Sequence, residues 1–505
     1  MSSADEAASS ATGVGERHGK YRLAKTVGVF AIMASAVAQE YGAGINTVLT
    51  KSVGAHPELG MLIPVAMFAA GILLLPKIAM LGRFAQVMPR AGSAYVWLTR
   101  STHPSVGFAV AFLWFIGVTA AMGFLAFSFT TFIAGVLAQF GLSVAWLSSH
   151  AGHLIIGFAL LLLIFFVHVS GVRNYGFFVS LLFALVLFAA LLTIIFGFAG
   201  SPHEFVGKVS GELGHPVQAT VPGQPTVGAF VATVTLFMFA YGGQAAATSL
   251  GGEARDATRT VGRGVWYAWG VAIVLYTVVS FALFHAAPLG AVQALLDGGR
   301  PELATTPGVI ALIAPRAIGV IISVTVILII GKTVAPEMLD SSRYLFAWAQ
   351  DRLLPKAFLH TNRNHAPDVA LLASTVLGGL FLVEVTFFGF QIGVLLRSMS
   401  IVLVIGVLGV GVLNMRLNPR FAELGWARTL TAHKDALVAA CFGIVIAGIL
   451  LYSVIVVPGE PLILQPSVQA LIGLAVAVCI YVAARAVARR QGHDLAAHIK
   501  EAPLE

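Results

Sequence analysis

The chain has little charge and almost no cysteine: 10% of its 505 residues are Asp, Glu, Lys or Arg, and Cys441 and Cys479 are its two cysteines. An average soluble domain carries roughly 25% charged residues, so a water-soluble globule is excluded. Each cysteine sits inside an apolar run, which suits a thiol in the membrane and argues against a disulfide framework or a metal pair. Residues 1–24 contain no apolar stretch, so no cleavable signal peptide is expected and the first membrane segment should direct insertion. A phosphate-binding loop is missing too. The nearest approach, Gly331-Lys332-Thr333, has Val326 where the first glycine is required, which excludes an ATP-driven pump. No paired nucleophile and base and no metal cluster share one depth, so an enzyme is not expected.

What is present is apolar sequence, 58% of the chain, recurring from residue 25 to residue 487 without a polar block long enough to fold separately. A spanning helix takes about 20 mostly apolar residues. That template predicts twelve segments, near 25–50, 60–82, 106–137, 152–169, 176–200, 227–251, 264–287, 316–348, 367–384, 387–415, 435–457 and 467–487. With both termini cytoplasmic, Lys51, Lys208, Arg300 and Arg316 fall in outer loops, Lys332 and Arg397 fall inside the membrane, and every other one of the 30 Lys and Arg residues faces the cytoplasm. That asymmetry is the positive-inside pattern of a multi-pass cell (inner or plasma) membrane protein. The net charge of +8 therefore reports orientation, and no nucleic-acid partner is expected. Two polar stretches, 201–226 and 288–315, read as outer loops, and 343–367 reads as a helix end plus a short surface helix, with Tyr344 and Trp348 at interfacial depth.

Two segments cannot be plain helices. The first contains Gln39-Glu40-Tyr41-Gly42-Ala43-Gly44-Ile45-Asn46, and the sixth contains Phe239-Ala240-Tyr241-Gly242-Gly243-Gln244. A charge at a membrane-helix centre costs about 2.5–3.5 kcal/mol, and each glycine roughly 1 kcal/mol of helix propensity. Interruptions at matching positions of two halves suggest a five-plus-five inverted repeat followed by two further helices. In such a repeat, broken helices expose amides for anions and carbonyls for cations. The expected organisation is a cytoplasmic tail (1–24), a transport core (25–415, with repeats near 25–200 and 227–415), two additional helices (416–487) and a cytoplasmic tail (488–505).

At this point the residues resemble the amino acid–polyamine–organocation superfamily of permeases, which share the LeuT-type inverted-repeat fold. Gly42-Ala43-Gly44-Ile45 is similar to that family's Gly-x-Gly-Ile signature, and Met88-Pro89-Arg90-Ala91-Gly92-Ser93-Ala94-Tyr95 to its Pro-x-x-Gly-Gly-x-Tyr signature, with Gly-Ser replacing Gly-Gly. Phe239 to Gly243 followed by Glu253 and Arg259 resembles the broken sixth helix, with Ala257 where a proline is usual. Ser342-Arg343-Tyr344 through Asp351-Arg352-Leu353-Leu354-Pro355 matches the stretch after helix eight. The resemblance implies an all-α secondary permease whose substrate carboxylate docks on the amides of Gly42, Ala43 and Gly44 and whose amino group meets carbonyls near Phe239 and Ala240. Tyr41, Tyr241, Gly242 and Gly243 complete that candidate site.

Glu40 departs from the family, which usually has an apolar residue there. It either meets a cationic or amine substrate or carries a coupling proton. Lys332 and Arg397 are its candidate partners and, with it, the coupling candidates; Arg397 lies roughly 15 Å along its helix from the segment end. Glu337 and Asp340 are expected to pair with Arg343 at the inner end, Pro336 to kink that helix, and His168 and His285 to sit at interfaces. Segment five has no charged residue, so no lysine substitutes there for a sodium ion. Ser323 and Thr325 are weak candidates for sodium oxygens, because membrane hydroxyls usually bond their own helix. The expected protein moves an amino acid or related amine by alternating access. It needs no cofactor beyond an ion gradient, H+ before Na+, with an exchanger or a nutrient sensor on the same fold as alternatives. Membrane lipid is an expected partner, and the oligomeric state is not readable.

Overall fold

A computed structural model describes residues 25–42, 45–46, 49–140, 142–388, 392–454, 462 and 465–500. Among them every extended element is helical, because at this composition the backbone can satisfy its polar groups away from water only within helices or a closed barrel. Ten spans are long and apolar enough to cross a membrane. They are α3–α4 (Leu62–Leu73 and Leu75–Val87), α6 (Pro104–Gln139), α7 (His150–Val169), α8 (Val172–Ala199), α12 (Ala257–Ala286), α15 (Arg316–Gln350), α16 (Asp368–Phe388), α17 (Ile392–Leu417), α19 (Lys434–Val454) and α20 (Pro466–Arg490).

The first and sixth expected segments are interrupted. Helix α1 (Val29–Glu40) stops at Glu40 and α2 (Leu49–Ala55) resumes after the break; α10 (Val227–Phe237) stops at Phe237 and α11 (Gln244–Ser249) resumes at Gln244. The lead-in to α1 pairs with the segment after α11: the amides of Thr26 and Val27 both reach the Glu253 carbonyl at 3.0 Å, and the Arg255 amide reaches the Val27 carbonyl at 2.9 Å. This parallel bridge ties the two interrupted segments together at one end.

The stretches read as loops carry helices of their own: α9 (Pro202–Leu213), α13 (Leu289–Asp297) and α14 (Thr306–Ile313). Ser201 and Thr305 cap α9 and α14 by accepting from the amides of Glu204 and Gly308. A 20-residue hydropathy template passes over helices this short. The remaining short helices are α5 (Ser93–Ser101), α18 (Gly425–Ala432) and α21 (Leu495–Lys500). The thiols of Cys441 and Cys479 are free and exposed on α19 and α20.

The two motifs at 88–95 and 342–355 meet. Tyr95 Oη donates to Asp351 at 2.5 Å, and both terminal nitrogens of Arg100 reach the same carboxylate at 2.6 and 2.8 Å. Arg343 pairs with Glu253 at 2.6 Å, not with Glu337 or Asp340 as the sequence suggested. Tyr344 and Trp348 are buried, with Trp348 ringed by Tyr95, Phe108, Phe112 and Phe115. His168 is also buried, its Nε2 2.8 Å from the Ala335 carbonyl.

Gly92 makes the motif contact possible. Its φ is +86°, and a Cβ there would stand 2.4 Å from the Ala347 Cβ. Gly92→Ala is expected to lose about 1–2 kcal/mol from the left-handed backbone and about 1–3 kcal/mol from overpacking. Gly270→Ala, whose added Cβ meets nothing within 4 Å on α12, is expected to be neutral or stabilising by up to about 1 kcal/mol. Thermal unfolding of the two variants in detergent checks this order, and equal melting temperatures would refute it.

Candidate functional site

The two interruptions face each other. Gly243 lies so close to α1 that a Cβ would fall 2.3 Å from the Ala36 carbonyl oxygen and 2.4 Å from Glu40 Cγ, which excludes any larger residue without displacing α1. Gly42 is held as tightly against α15, since its Cβ would meet the Thr333 hydroxyl at 2.4 Å. Backbone proximity at both breaks is therefore bought with glycine.

Side-chain amides then bridge the breaks. Gln39 Oε1 accepts from the Ala246 amide of α11 at 3.1 Å, while its Nε2 donates to Glu337 Oε2 of α15 at 2.9 Å. Glu40 Oε1 accepts a hydrogen bond from Gln244 Nε2, and Glu40 Oε2 has no partner. Gln244 Oε1 in turn accepts from Lys77 Nζ at 3.3 Å. Lys77, a cytoplasmic residue in the sequence reading, is 2% exposed within the α3–α4 span, and its ammonium stands 5.3 Å from the Trp114 ring centre.

Neither expected partner of Glu40 contacts it. Arg397 is paired with Glu337 through Nη1, and its guanidinium lies between the Trp114 and Phe239 rings, at 5.3 and 5.8 Å. Lys332 Nζ instead donates to the carbonyls of Ala38 and Tyr41 at 2.7 and 3.2 Å, and Thr333 Oγ1 donates to Ala38 as well, at 3.2 Å. These carbonyls form the C-terminal end of α1, the negative end of its dipole, where a cation is favoured. Asp340 accepts from Trp114 Nε1 at 2.8 Å and from Ser249 of α11. Thr325 returns its hydroxyl to the Ile321 carbonyl, 2.7 Å away on its own helix.

The expected substrate contacts are partly engaged. Ala43 and Gly44 lie outside the described residues; the Gly42 amide donates to the Glu40 carbonyl at 2.9 Å, and the Gly42 carbonyl accepts from Asn46 Nδ2 at 2.8 Å. The Phe239 carbonyl accepts from the Gly242 amide at 3.3 Å, and the Ala240 carbonyl from Tyr276 Oη at 3.0 Å. Each carbonyl keeps a second lone pair for a ligand. Tyr41 and Tyr241 both pack on Tyr276, at 5.8 Å nearly parallel and at 4.9 Å edge-on, and Tyr241 Oη donates to the Met67 carbonyl at 3.1 Å. Beside the cluster, Lys77, Trp114, Ala245 and Thr248 line a cavity of about 10 Å³, room for about one water molecule.

Sequence reasoning missed Lys77, Gln244, Tyr276 and Trp114. Lys77 and Gln244 carried a signal, Lys77 because it stands five residues inside the predicted 60–82 segment and Gln244 because it closes the interrupted run of the sixth segment. The others are identified by what they touch.

Removing one member of a buried ion pair strands the other charge at a cost of about 3–5 kcal/mol. Glu337→Leu is expected to lower stability by that order, and Glu337→Leu with Arg397→Met to recover most of it. Melting temperatures of the single and double variants check the coupling, and additive losses would show that the pair does not act as a unit.

Residues 25–483 match the amino acid permease family. A histidine permease of Lactococcus lactis subsp. cremoris (strain MG1363) is 25% identical to this chain over 386 residues, covering 70% of this chain and 72% of its own length.

Proposed function

The chain belongs to the amino acid permease family, and from that premise we propose that it is a proton-coupled secondary transporter that carries an amino acid across the cell membrane by alternating access. The observation that carries this reading is the apposition of the two interruptions, in which Gln244 joins Glu40 to Lys77 and Lys332 caps the Ala38 and Tyr41 carbonyls. In this proposal the two interrupted segments add to the ten continuous spans as the first and sixth of twelve crossings, with both termini cytoplasmic. The halves form an inverted repeat that rocks about the breaks. The amides following Gly42 take the substrate carboxylate, and the carbonyls of Phe239 and Ala240 share its ammonium with their present donors. Histidine is the first substrate to try, since a relative bears that name.

Two groups divide the coupling. Glu40 exchanges the proton: protonation turns its unpaired acceptor oxygen into a donor, which changes what the site can bond. Lys332 acts as a tethered cation at the end of α1, filling with an ammonium the position that a mobile metal ion would otherwise satisfy. Uptake therefore does not require sodium.

In a melting-temperature panel on detergent-purified protein, an amino acid at 100 times its Kd should add about 2.7 kcal/mol. Histidine and other amino acids are expected to stabilise and their decarboxylated amines to do so at least tenfold more weakly. Stabilisation by the amines alone would make Glu40 the selector and discard the carboxylate dock. In proteoliposomes, uptake should persist when choline replaces sodium and stop with a protonophore. Glu40→Gln should retain substrate exchange but lose accumulation driven by a pH gradient; accumulation that survives in this variant would move the proton elsewhere.

A further inference from the structure

Away from the central cluster, the ends of α6 and α9, the segment before α14 and the start of α15 enclose a cavity of about 310 Å³, within the range of small-molecule pockets. Its mouth carries Arg300 between two carboxylates, 2.7 Å from Glu302 and 3.4 Å from Glu212. Its walls are apolar, from Phe132 and Val136 of α6 to Leu303 and Pro307. Ser323 of α15 is 3% exposed and lines the cavity, and its hydroxyl has no hydrogen-bond partner. Gly135 leaves the space open, since a Cβ there would meet no atom within 4 Å.

We propose that this cavity is a second ligand site, distinct from the central one, and that it takes a small amphiphilic organic cation. The charge at the mouth sums to one negative, with Arg300 neutralised between the two carboxylates, so an anion is disfavoured while an ammonium gains two partly exposed carboxylates. The apolar walls suit a carbon body of aryl size, with the Phe132 ring able to face the cation and Ser323 to meet a polar end. A phosphatidylethanolamine headgroup offers the same ammonium, but its phosphate would lie against Glu212 and Glu302, which favours a free amine. Occupancy also bears on the first interrupted segment. Thr306, next to the lining residues Thr305 and Pro307, donates to the Ile45 carbonyl at 3.0 Å within the break between α1 and α2.

The test is the thermal stability of the full-length protein with phenethylamine, with phenylacetate as the anionic counterpart and with phosphatidylethanolamine in mixed micelles. Phenethylamine is expected to raise the melting temperature saturably in the wild type and in Glu40→Gln. Gly135→Leu, which fills the cavity, should abolish the rise, and Glu302→Gln should weaken apparent affinity at least tenfold; phenylacetate should do nothing. The proposal is overturned by an absent shift, an undiminished shift in Gly135→Leu, an equal shift with phenylacetate, or stabilisation by phosphatidylethanolamine alone. Loss of the shift in Glu40→Gln with retention in Gly135→Leu would assign the amine to the central site and overturn this one. If Gly135→Leu does not fold, Glu302→Gln and Ser323→Leu decide the matter by the same criteria.

Discussion

A buried charge in a chain this apolar has to be answered by another charge or by hydrogen bonds, and that constraint organises the structure. Among the described residues five buried carboxylates (Glu40, Glu253, Glu337, Asp340 and Asp351) face five buried cations (Lys77, Arg100, Lys332, Arg343 and Arg397). Three of the pairs are direct, and all of them join parts far apart in sequence: Arg100 with Asp351, Arg343 with Glu253 and Arg397 with Glu337. The other four charges lean on amides, an indole, a hydroxyl and helix-end carbonyls. A core so balanced changes its net charge with a single proton, which is the electrical premise of the coupling proposed for Glu40.

The pairs also divide by location. Arg100–Asp351 and Arg343–Glu253 bind the stretches around 88–101, 253 and 343–351 into one end of the molecule, alongside the Val27–Ala254 bridge. Arg397–Glu337 lies at the breaks and is linked by Gln39 to both interrupted segments. Motion of one segment relative to α15 must therefore break or carry with it a hydrogen bond to a buried carboxylate, each of which is worth about 1.5–3 kcal/mol. Such contacts are strong enough to hold a state and weak enough to be exchanged for contacts with a ligand.

The second cavity obeys a different economy. Its ion cluster is 40–41% exposed, so solvent screens it and it adds little to stability. Its interest lies in the combination of that mouth with a buried, unpaired hydroxyl and an unfilled apolar wall.

Local rules were legible in the sequence wherever they operate along one segment. The ten continuous spans follow from runs of apolar residues, and the breaks at Glu40–Gly42 and Phe239–Gly243 follow from charge and glycine where a helix would be penalised. The short caps at Ser201 and Thr305 were legible in kind but lay beneath the length of the template. Partnership was not legible. Nothing near Arg397 in the chain indicates that it pairs with Glu337 and not Glu40, and Lys77 and Tyr276 join the site through packing of α3–α4 and α12 against the breaks. Coulomb and hydrogen-bond energies depend on distances of a few ångströms between residues up to hundreds of positions apart. The sequence by itself determined that buried charges exist and must be met, while only the tertiary structure decided which group meets which.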